Sequence, residues 1–477
     1  MNYTVEKIGG TSMSAFDTVL DNIILRPSLR ENLYNRVFVV SAYGGFTDAL
    51  LECKRSDKPG VYQLIVQNED AWIDALDAVE QRMLLVNDNM FADPMDRMPV
   101  DEFIQSRVAE AKTCISNILE ACQFGQFSLS DYLPQIRESL ASLGEVHSAY
   151  NTSIKLKRLG VNAKFVDLSG WNSAKLPDTI DDTIRQAFES IDVSRELPIV
   201  TGYAASKEGV MSQFDRGYSE MTFSRVASVT NADLAIIHKE YHFSSADPRL
   251  VGADKVQPIG NTNYDVADQL ANLGMEAIHP NAATGLRESG IELQIKNTFE
   301  PEHAGTLISD NYHPKEKCVE IIAGKEKVFA IHLFDQDMAC QLDNASLEFI
   351  QIITNSDVNL ISKEMNANSM TYYLTGDTES IDGVLDRVQQ HFPTATIKVQ
   401  VVSVISAIGS LLDTNQALAR GTNALIEEGI DPVALQSSMR NVSVQYVVEE
   451  DKYKQAICIL HDALCNDNST HVMLNVA

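Results

Sequence analysis

The segment Val5-Glu6-Lys7-Ile8-Gly9-Gly10-Thr11-Ser12 decides the fold of the N-terminal part of the chain. An extended run leads into two glycines, and Ser12 or Ser14 is placed to cap a helix that starts near Ala15. A strand, a glycine turn and a helix N-terminus form an anion site, because backbone N–H groups there approach phosphate oxygens without an intervening side chain. Lys7 adds a positive charge. The alternative is an ordinary tight turn before a helix, and two glycines alone do not decide between them.

A second unit of the same kind follows at once. The β-branched run Val37 to Val40 is typical of a buried parallel strand, and Ser41 and two further glycines turn the chain towards a helix capped by Thr47. Both units end a strand in small polar residues. Open α/β sheets bind ligands at that edge, so we expect a ligand site there.

The rest of the chain alternates strands and helices up to about residue 310, after a mostly helical stretch over 57–140 that Pro94 and Pro99 are expected to break. This alternation predicts a mostly parallel sheet covered by helices on both faces. A polar linker, 313–317, follows. Beyond it the pattern changes to two βαββαβ units in tandem, each the size of a ferredoxin-like fold.

The composition limits the partners. The 477 residues carry a formal net charge of −28, which repels nucleic acid and anionic membrane, so we expect neither as a partner. No apolar run is long enough to span a bilayer, and no signal peptide is visible. The seven cysteines form no CxxC pair, which favours free thiols in a reducing compartment and predicts a cytoplasmic protein.

Several ordered motifs resemble those of the aspartokinases, members of the amino-acid kinase family with paired C-terminal ACT domains. The family's KFGGTS, VVSAxGGxTD, SxGE, GRGGSD, TTDPR, VLHP and NTFNPxxxGTLI correspond to residues 7–12, 39–48, 142–145, 215–220, 245–249, 277–280 and 297–308. The resemblance covers nearly the whole chain. It is strongest to aspartokinases associated with ectoine biosynthesis, through stretches such as IHKEYHFSSADP and the unusual DRGYSE.

The resemblance implies three domains. These are an amino-acid kinase domain over 1–312, a first ACT domain over 318–393 and a second over 396–470. It also implies transfer of the ATP γ-phosphoryl group to L-aspartate, giving 4-phospho-L-aspartate. An aspartate side chain is already ionised at neutral pH, so the reaction needs no general base; it needs positioning and neutralisation of phosphate charge.

The site residues carried over by resemblance fall into three groups. Lys7 and Glu220 are expected to be catalytic. Residues expected to hold aspartate are Ser41, Thr47, Glu145 (for its α-ammonium), Arg216 (for its α-carboxylate) and Ser219. Residues expected to bind the nucleotide are Gly9, Gly10, Ser12, His238, Lys239, Ser244, Asp247 and Arg249. Mg²⁺ is expected to be held mainly by the ATP phosphates, with no protein metal site.

Three departures from the resembled motifs change charge or side-chain length at the expected site. The family usually has Thr-Asp where this chain has His238-Lys239, aspartate at Glu220, and a lysine at Glu276. Because a carboxylate at residue 276 would repel ATP, we hypothesise that Lys239 or Lys255 compensates.

The paired ACT domains imply a homodimer or a larger homo-oligomer and a possible amino-acid effector. The candidate effector loops are 334–343 and 407–413, and pure scaffolding is an equal alternative. Two other functions stay open: a kinase for another acceptor such as glutamate, N-acetylglutamate or a nucleotide, and an inactive amino-acid sensor. Because the chain ends soon after the second ACT unit, we expect no fused dehydrogenase.

Overall fold

The computed structural model describes residues 3–26, 33–52, 58–171, 173–214, 217–274, 278–336 and 342–465. Its strands, numbered in chain order, are β1 Thr4–Ile8, β2 Arg36–Val40, β3 Ala163–Val166, β4 Leu197–Thr201, β5 Leu234–Lys239, β6 Asn261–Thr262, β7 Glu292–Asn297, β8 Thr306–Ile308, β9 Ile321–Phe334, β10 Asn359–Asn366, β11 Ser369–Thr375, β12 Thr396–Ile408, β13 Ala434–Ser437 and β14 Ser443–Glu449.

The helices are numbered in the same way. They are α1 Gly10–Ser14, α2 Phe16–Val19, α3 Phe46–Leu50, α4 Val61–Val66, α5 Trp72–Met90, α6 Pro94–Ala121, α7 Leu133–Arg158, α8 Ile180–Phe188, α9 Val210–Phe214, α10 Tyr218–Val229, α11 Pro248–Val251, α12 Tyr264–Asn272, α13 Pro280–Glu288, α14 Leu342–Thr354, α15 Thr378–His391, α16 Thr414–Glu427 and α17 Tyr453–Leu464.

The chain divides by packing into two compact units. The first comprises Met1–Phe243 and Ile278–Asp310, and the second comprises Ser244–Ala277 and Asn311–Ala477. The segment 244–277 therefore packs with the C-terminal unit, although the resemblance assigned it to a kinase domain over 1–312. The functional domain boundaries stay a prediction.

The first unit is built on a mostly parallel sheet, as predicted. Its strands lie in the order β3-β4-β2-β1-β5-β7-β8, parallel from β3 to β7, with β8 antiparallel to β7. Strand β1 is central, and Lys7 lies between Val39 and Ile237 of its neighbours. Every residue of β2 is buried, which explains its unbroken apolar run. The ends of β1, β2 and β5 therefore meet at one edge.

The first helix begins earlier than the sequence predicted. It starts at Gly10, directly after an extended Gly9, and Ala15 separates it from α2. Ser14 is not a cap: its hydroxyl donates to Gly10 O and accepts a hydrogen bond from Gly44 N over 2.8 Å. This bond ties the two glycine turns together, a contact between distant segments that local capping patterns do not report.

Two other local predictions were wrong. Pro99 lies inside α6 without ending it, and Thr47 lies inside α3, whose cap position is Gly45. Pro99 is the sixth residue of α6, beyond the first turn, so its missing N–H leaves the Met95 carbonyl without its usual helical donor. The helix continues through it and buries Val100 and Ile104 directly afterwards.

A buried ion pair fastens the centre of the first sheet. The Glu6 carboxylate accepts from Arg36 Nε over 2.7 Å and lies 2.7 Å from His238 Nε2. Burial opposes ionisation of Glu6, but the charges of Arg36 and His238 outweigh it and the pKa of Glu6 is lowered. The network joins β1, β2 and β5, so it fixes the strands whose ends carry the predicted site.

The second unit contains the two predicted ferredoxin-like folds, joined in one antiparallel sheet. Its order is β10-β11-β9-β12-β14-β13. Strands β9 and β12 are long enough to serve both folds: Val328–Phe334 pairs with Thr396–Val402, and Ile321–Lys325 pairs with Val404–Ile408.

Because β9 and β12 run through both folds, the sheet of each fold is completed by a strand that it shares with the other fold. The second fold takes its fourth strand from the start of β9, which precedes the first fold in the chain. Each fold keeps its own core, one centred on Phe349 and Tyr372 and the other on Tyr446 and Leu460. The order of helices predicted from the tandem pattern is therefore correct, but the two folds share β9 and β12 and do not form separate sheets.

No helix in the described part of the chain is long and apolar enough to cross a membrane.

Candidate active site

Two lysines of the first unit share one carboxylate at the edge of the sheet. Lys7, near the end of β1, places Nζ 3.7 Å from Glu220 Oε1, and Lys239, the last residue of β5, places Nζ 3.8 Å from the same oxygen. The other oxygen of Glu220 accepts the backbone N–H of His279 over 2.5 Å. Lys7 is only 7% exposed. Glu220 thus holds two cations together in a largely buried position.

The opposite charges in this cluster stabilise the ionised forms of Lys7 and Glu220. Burial lowers the pKa of Lys7, and the Glu220 carboxylate opposes that shift. Burial also disfavours the ionised form of Glu220, but Lys239 and Lys7 outweigh it and the pKa of Glu220 is lowered. With all three groups charged the cluster carries a net positive charge, which suits an anion at this edge.

A buried carboxylate lies in the same unit on helix α7. Glu145 is 2% exposed; the Tyr218 hydroxyl donates to its Oε1 over 2.6 Å, and its Oε2 is buried with no partner among the described residues. Burial raises the pKa of Glu145 to about 7, against the effect of the Tyr218 hydrogen bond and the Lys7 charge. A buried carboxylate with one unused oxygen is suited to a ligand cation.

Helix α7 is held rigidly beneath this carboxylate. His147 Nε2 lies 2.7 Å from Asn87 Oδ1, which also accepts from Asn151 over 2.6 Å. All three residues are buried. Burial lowers the pKa of His147 to about 3, so the imidazole is neutral and the network joins α5 to α7 without a charge. The position of Glu145 is therefore set by packed helices.

The hydroxyl residues predicted to hold the substrate are brought to the same place. Ser41 Oγ lies 2.8 Å from Ser219 Oγ, and the Ser41 carbonyl accepts from Ser148 over 2.8 Å. Thr47 lies near enough to Tyr218 that its side chain acts to lower the pKa of the phenol, against the larger effect of burial. Arg216, predicted to bind the α-carboxylate, lies outside the described residues, as does Glu276.

The glycine turn after β1 has the geometry that close approach requires. A Cβ at Gly10 would lie 2.7 Å from Ala42 O, so only glycine fits between the two turns. The amides of Gly10 to Ser12 belong to the first turn of α1, next in the chain to Lys7. The Ser12 side chain is buried and lies 3.0 Å from Thr298 Oγ1. Its hydroxyl is therefore structural, and only its backbone is available for the predicted nucleotide contact.

The two residues of the His238-Lys239 pair do different things. The His238 imidazole is buried against Glu6, whereas the Lys239 ammonium reaches Glu220. Successive residues of a strand point to opposite faces, so the pair cannot serve one ligand with both side chains. The described contacts give the His238 side chain a structural role beside Glu6, and a nucleotide contact by His238 stays a prediction.

The remaining predicted nucleotide residues lie in the second unit. The Asp247 side chain caps α11 by accepting from Arg249 N over 2.8 Å, and it also pairs with the Arg249 guanidinium. Ser244 forms an isolated antiparallel bridge with Pro258. The next residue, Ser245, bonds to the buried His461 of α17 over 2.9 Å. The nucleotide role of Ser244, Asp247 and Arg249 stays a prediction.

Sequence reasoning missed two residues beside Glu145. Tyr218 is fully packed against it, and a Cβ at Gly202 would lie 3.1 Å from Glu145 Cγ and 2.7 Å from Val40 O. The signal for Tyr218 was present, because it stands where the resembled GRGGSD motif has its second middle glycine. Gly202 directly follows β4, as Gly9 and Gly10 follow β1.

A cavity of about 910 Å³ lies in the first unit, and its lining includes Trp171, Glu138 and Tyr203. None of the described predicted site residues lines it. The described residues also contain no group of three His, Cys, Asp or Glu side chains placed to hold a metal ion. The charges around Glu220 and Glu145, and not the cavity, mark the candidate site.

Comparison with known proteins assigns the class. The model of the amino acid kinase family matches residues 2–297. Crystal structures of E. coli aspartokinase III share the fold: the complex with lysine and aspartate has a TM-score of 0.72 at 18% identity, covering 97% of this chain and 99% of that one. The complex with aspartate and ADP has a TM-score of 0.71 at 18% identity, with the same coverage. The chain belongs to the amino acid kinase family.

Its place within the family follows from a closer relative. The aspartate kinase Ask_Ect of Stutzerimonas stutzeri is 49% identical over 464 residues, 97% of each chain. The aspartokinase of Saccharomyces cerevisiae is 22% identical over 518 residues, 98% of this chain and 94% of that one. The chain is one of the aspartate kinases, ATP-dependent phosphotransferases, and the predicted family is confirmed.

Proposed function

We propose that the site of the first unit phosphorylates the side-chain carboxylate of L-aspartate, with Lys7 and Lys239 neutralising the transferred phosphoryl group and Glu145 binding the α-ammonium. The observation that carries this proposal is the joint presence of a cation pair, with Lys7 buried and Lys239 half-buried, and a buried carboxylate with one oxygen that has no partner among the described residues. One group suits the phosphate charge and the other suits the ammonium of an amino acid.

The chemistry requires only positioning and charge. The acceptor carboxylate is ionised at neutral pH, so no residue has to remove a proton from it. Lys7 and Lys239 lie where negative charge spreads in the transition state, held by Glu220 before substrate arrives. Ser41 and Ser219, whose hydroxyls lie 2.8 Å apart, orient the reacting end of aspartate. Arg216 is proposed for the α-carboxylate from the resemblance alone.

Mg²⁺ is proposed to arrive on ATP. Glu220 is the carboxylate closest to the two lysines, and both of its oxygens are already engaged by them and by the His279 amide. The described residues thus offer protein ligands poorly suited to a separate metal site. A metal carried by the phosphates neutralises part of their charge when bound.

Lys239 is proposed as the residue that compensates for the departures from the family motif. It lies at the Lys7 end of the sheet, whereas Lys255 belongs to the second unit and lies 3.9 Å from Asp462. Lys239→Ala is expected to raise the KM for ATP about tenfold or more, in line with losing a charge-assisted contact. Lys255→Ala is the matched control and is expected to leave it unchanged. Equal effects of both variants would contradict the assignment.

The assignment of Glu145 has a direct test. Glu145→Gln keeps the shape and removes the charge, so the KM for aspartate is expected to rise about a hundredfold while the KM for ATP is unchanged. Glu138→Gln is the control, because Glu138 lies on the same helix and pairs with Tyr203 instead. Activity is measured as hydroxamate formed from the acyl phosphate with hydroxylamine. An unchanged KM in Glu145→Gln would refute the role.

The same assay separates the remaining alternatives. Product formed with glutamate, N-acetylglutamate or a nucleotide in preference to aspartate would establish a different acceptor. Binding of aspartate with no product from any acceptor would favour the sensor. We also propose, from the resemblance, that the product supplies ectoine biosynthesis.

We propose that an amino-acid effector, where one acts, binds at the first ACT loop and not at the second. The second loop is occupied by its own chain: Ser410 N donates to Glu320 Oε1 over 2.8 Å, and Gly409 N donates to Val442 O over 2.9 Å. Part of the first loop, 337–341, lies outside the described residues. Inhibition by an amino acid that persists in a Ser410→Ala variant but not in variants of residues 334–343 is expected. A response with no such dependence, or oligomer assembly without any response, would favour scaffolding.

A further inference from the structure

Tyr218 occupies a position that the resembled motif gives to glycine. It is the first residue of α10 and is 2% exposed. A glycine there would leave open space beside Glu145, and the tyrosine fills it. Its ring lies edge-on to that of Tyr203, with centroids 5.9 Å apart, so the side chain is held in one orientation.

The Tyr218 hydroxyl is aimed at the carboxylate of Glu145. It donates to Oε1 over 2.6 Å, a charge-assisted hydrogen bond in a buried setting. Oε2 of the same carboxylate is buried and has no partner among the described residues. The tyrosine therefore distinguishes the two oxygens of Glu145, engaging one and leaving the other for a ligand.

The groups around Glu145 explain why such a donor matters. Lys7 faces it from β1, Tyr218 from α10, Tyr203 from the segment after β4, and the backbone after β2 contributes the Ala42 amide. Burial raises the pKa of Glu145 to about 7, and the Tyr218 hydrogen bond is the largest effect opposing it. The pKa of Tyr218 is itself raised far above its usual value by burial and the nearby carboxylate, so the phenol stays a donor.

We propose that Tyr218 is a positioning residue for aspartate binding, which fixes the Glu145 carboxylate so that Oε2 accepts the α-ammonium and which favours its ionised form before the substrate arrives. This inference rests on the proposed role of Glu145. It gives Tyr218 no direct part in phosphoryl transfer. The prediction is therefore a change in aspartate binding and in its pH dependence, with the chemical step unaffected.

Tyr218→Phe removes the hydroxyl and keeps the ring. Without this donor the pKa of Glu145 rises further, so the carboxylate is protonated at higher pH and the acid-side fall of kcat/KM for aspartate moves to higher pH. We expect the KM for aspartate at pH 7 to rise about tenfold or more. At saturating aspartate and alkaline pH kcat is expected to stay within about twofold of the wild type, and the KM for ATP to stay unchanged.

Tyr203→Phe is the matched control. It removes a tyrosine hydroxyl from the same ring pair, but that hydroxyl donates to Glu138 Oε2 over 2.6 Å. A merely structural role for the ring pair would give both variants the same profile, and the inference requires that only Tyr218→Phe shifts the acid limb. Calorimetric titration of aspartate into each folded variant measures binding independently of turnover.

Three outcomes are distinguishable. A shifted acid limb and weaker aspartate binding in Tyr218→Phe alone support the inference. No shift in Tyr218→Phe, with a large KM increase in Glu145→Gln, overturns the inference and leaves the proposed function intact. No effect in Glu145→Gln overturns the role of Glu145 itself, and the inference fails with it.

Discussion

Replacing Glu220 by glutamine tests whether one carboxylate keeps two lysines charged. Lys7 Nζ and Lys239 Nζ lie 3.7 and 3.8 Å from the same oxygen, and Lys7 is nearly buried. Glutamine preserves the shape and can still accept the His279 N–H, so the expected change is electrostatic. Without the carboxylate, burial and the neighbouring ammonium both act to lower the pKa of Lys7 further.

The distances set the scale of the effect. At an effective dielectric constant of about 20, each ammonium–carboxylate attraction at this separation is worth about 4 kcal/mol. Since about 1.4 kcal/mol corresponds to a factor of ten, the loss for Lys7 is bounded at roughly a thousandfold in the protonated-to-neutral ratio. Solvent and ATP phosphates reduce this, so we expect a tenfold to hundredfold loss of activity above pH 8 and a smaller loss below pH 7.

The assay is aspartate-dependent ADP release from Mg-ATP across pH 6 to 9.5, with both substrates saturating. Glu220→Asp restores the charge with a shorter side chain and is expected to recover part of the alkaline activity. Glu138→Gln is the control, because it removes a carboxylate of the same unit whose partner is the Tyr203 hydroxyl. A Glu220→Gln profile parallel to that of the wild type at every pH would refute the argument that Glu220 maintains the Lys7 charge.

Three further predictions concern stability and space around the site. Glu6→Gln is expected to cost about 3–5 kcal/mol of unfolding free energy at pH 7, because Arg36 is left buried without its counter-charge; denaturant titration measures this. His147, whose pKa of about 3 lies below its unfolded value near 6.5, is expected to lower the unfolding free energy by about 2 kcal/mol between pH 7 and pH 5, since only the unfolded chain binds the proton, and His147→Gln should flatten that slope. Gly202→Ala is expected to raise the KM for aspartate more than that for ATP, because the added methyl group would displace Glu145; equal changes in both constants would contradict it.

The sheet of the first unit could be predicted because its signals are local and strong. A fully buried parallel strand is an apolar run such as Val37 to Val40, and glycine turns mark the strand ends. Both features were correct to within a residue or two. Helix starts were less predictable. Serine is a common N-cap residue, but the Ser14 hydroxyl accepts a hydrogen bond from the backbone N–H of Gly44, thirty residues away.

The second unit shows a different limit. Its helices and strands follow from periodicity, but the pairing of β9 with β12 along both halves does not. A sequence pattern gives the order of elements within a repeat and carries no information on which repeat supplies the closing strand. The segment containing Ser245 was similarly assigned by motif to the kinase fold, although its hydrogen bonds are to Gln257, Ile322 and His461 of the second unit.

The place of a residue in a motif also does not tell which way its side chain points. His238 and Lys239 are adjacent, and alternation along β5 sends one to Glu6 and the other to Glu220. The parity of the strand was available in the sequence, since Lys7 and Glu6 alternate in the same way on β1. The nucleotide assignment of both residues came from the motif and did not use that parity.

The departures from the resembled motif become intelligible once their contacts are known. Lysine at 239 replaces an acidic residue of the family pattern and adds a cation beside Lys7, which by itself acts to lower the pKa of Lys7. Glutamate at 220 replaces aspartate, and its extra methylene lets one oxygen reach both lysines at nearly equal distances. Tyr218, two residues before Glu220, donates to the other carboxylate of the site, Glu145. The added positive charge of Lys239 and the longer side chain of Glu220 therefore depend on each other. We expect that neither Lys239→Asp nor Glu220→Asp alone restores the arrangement of the resembled motif.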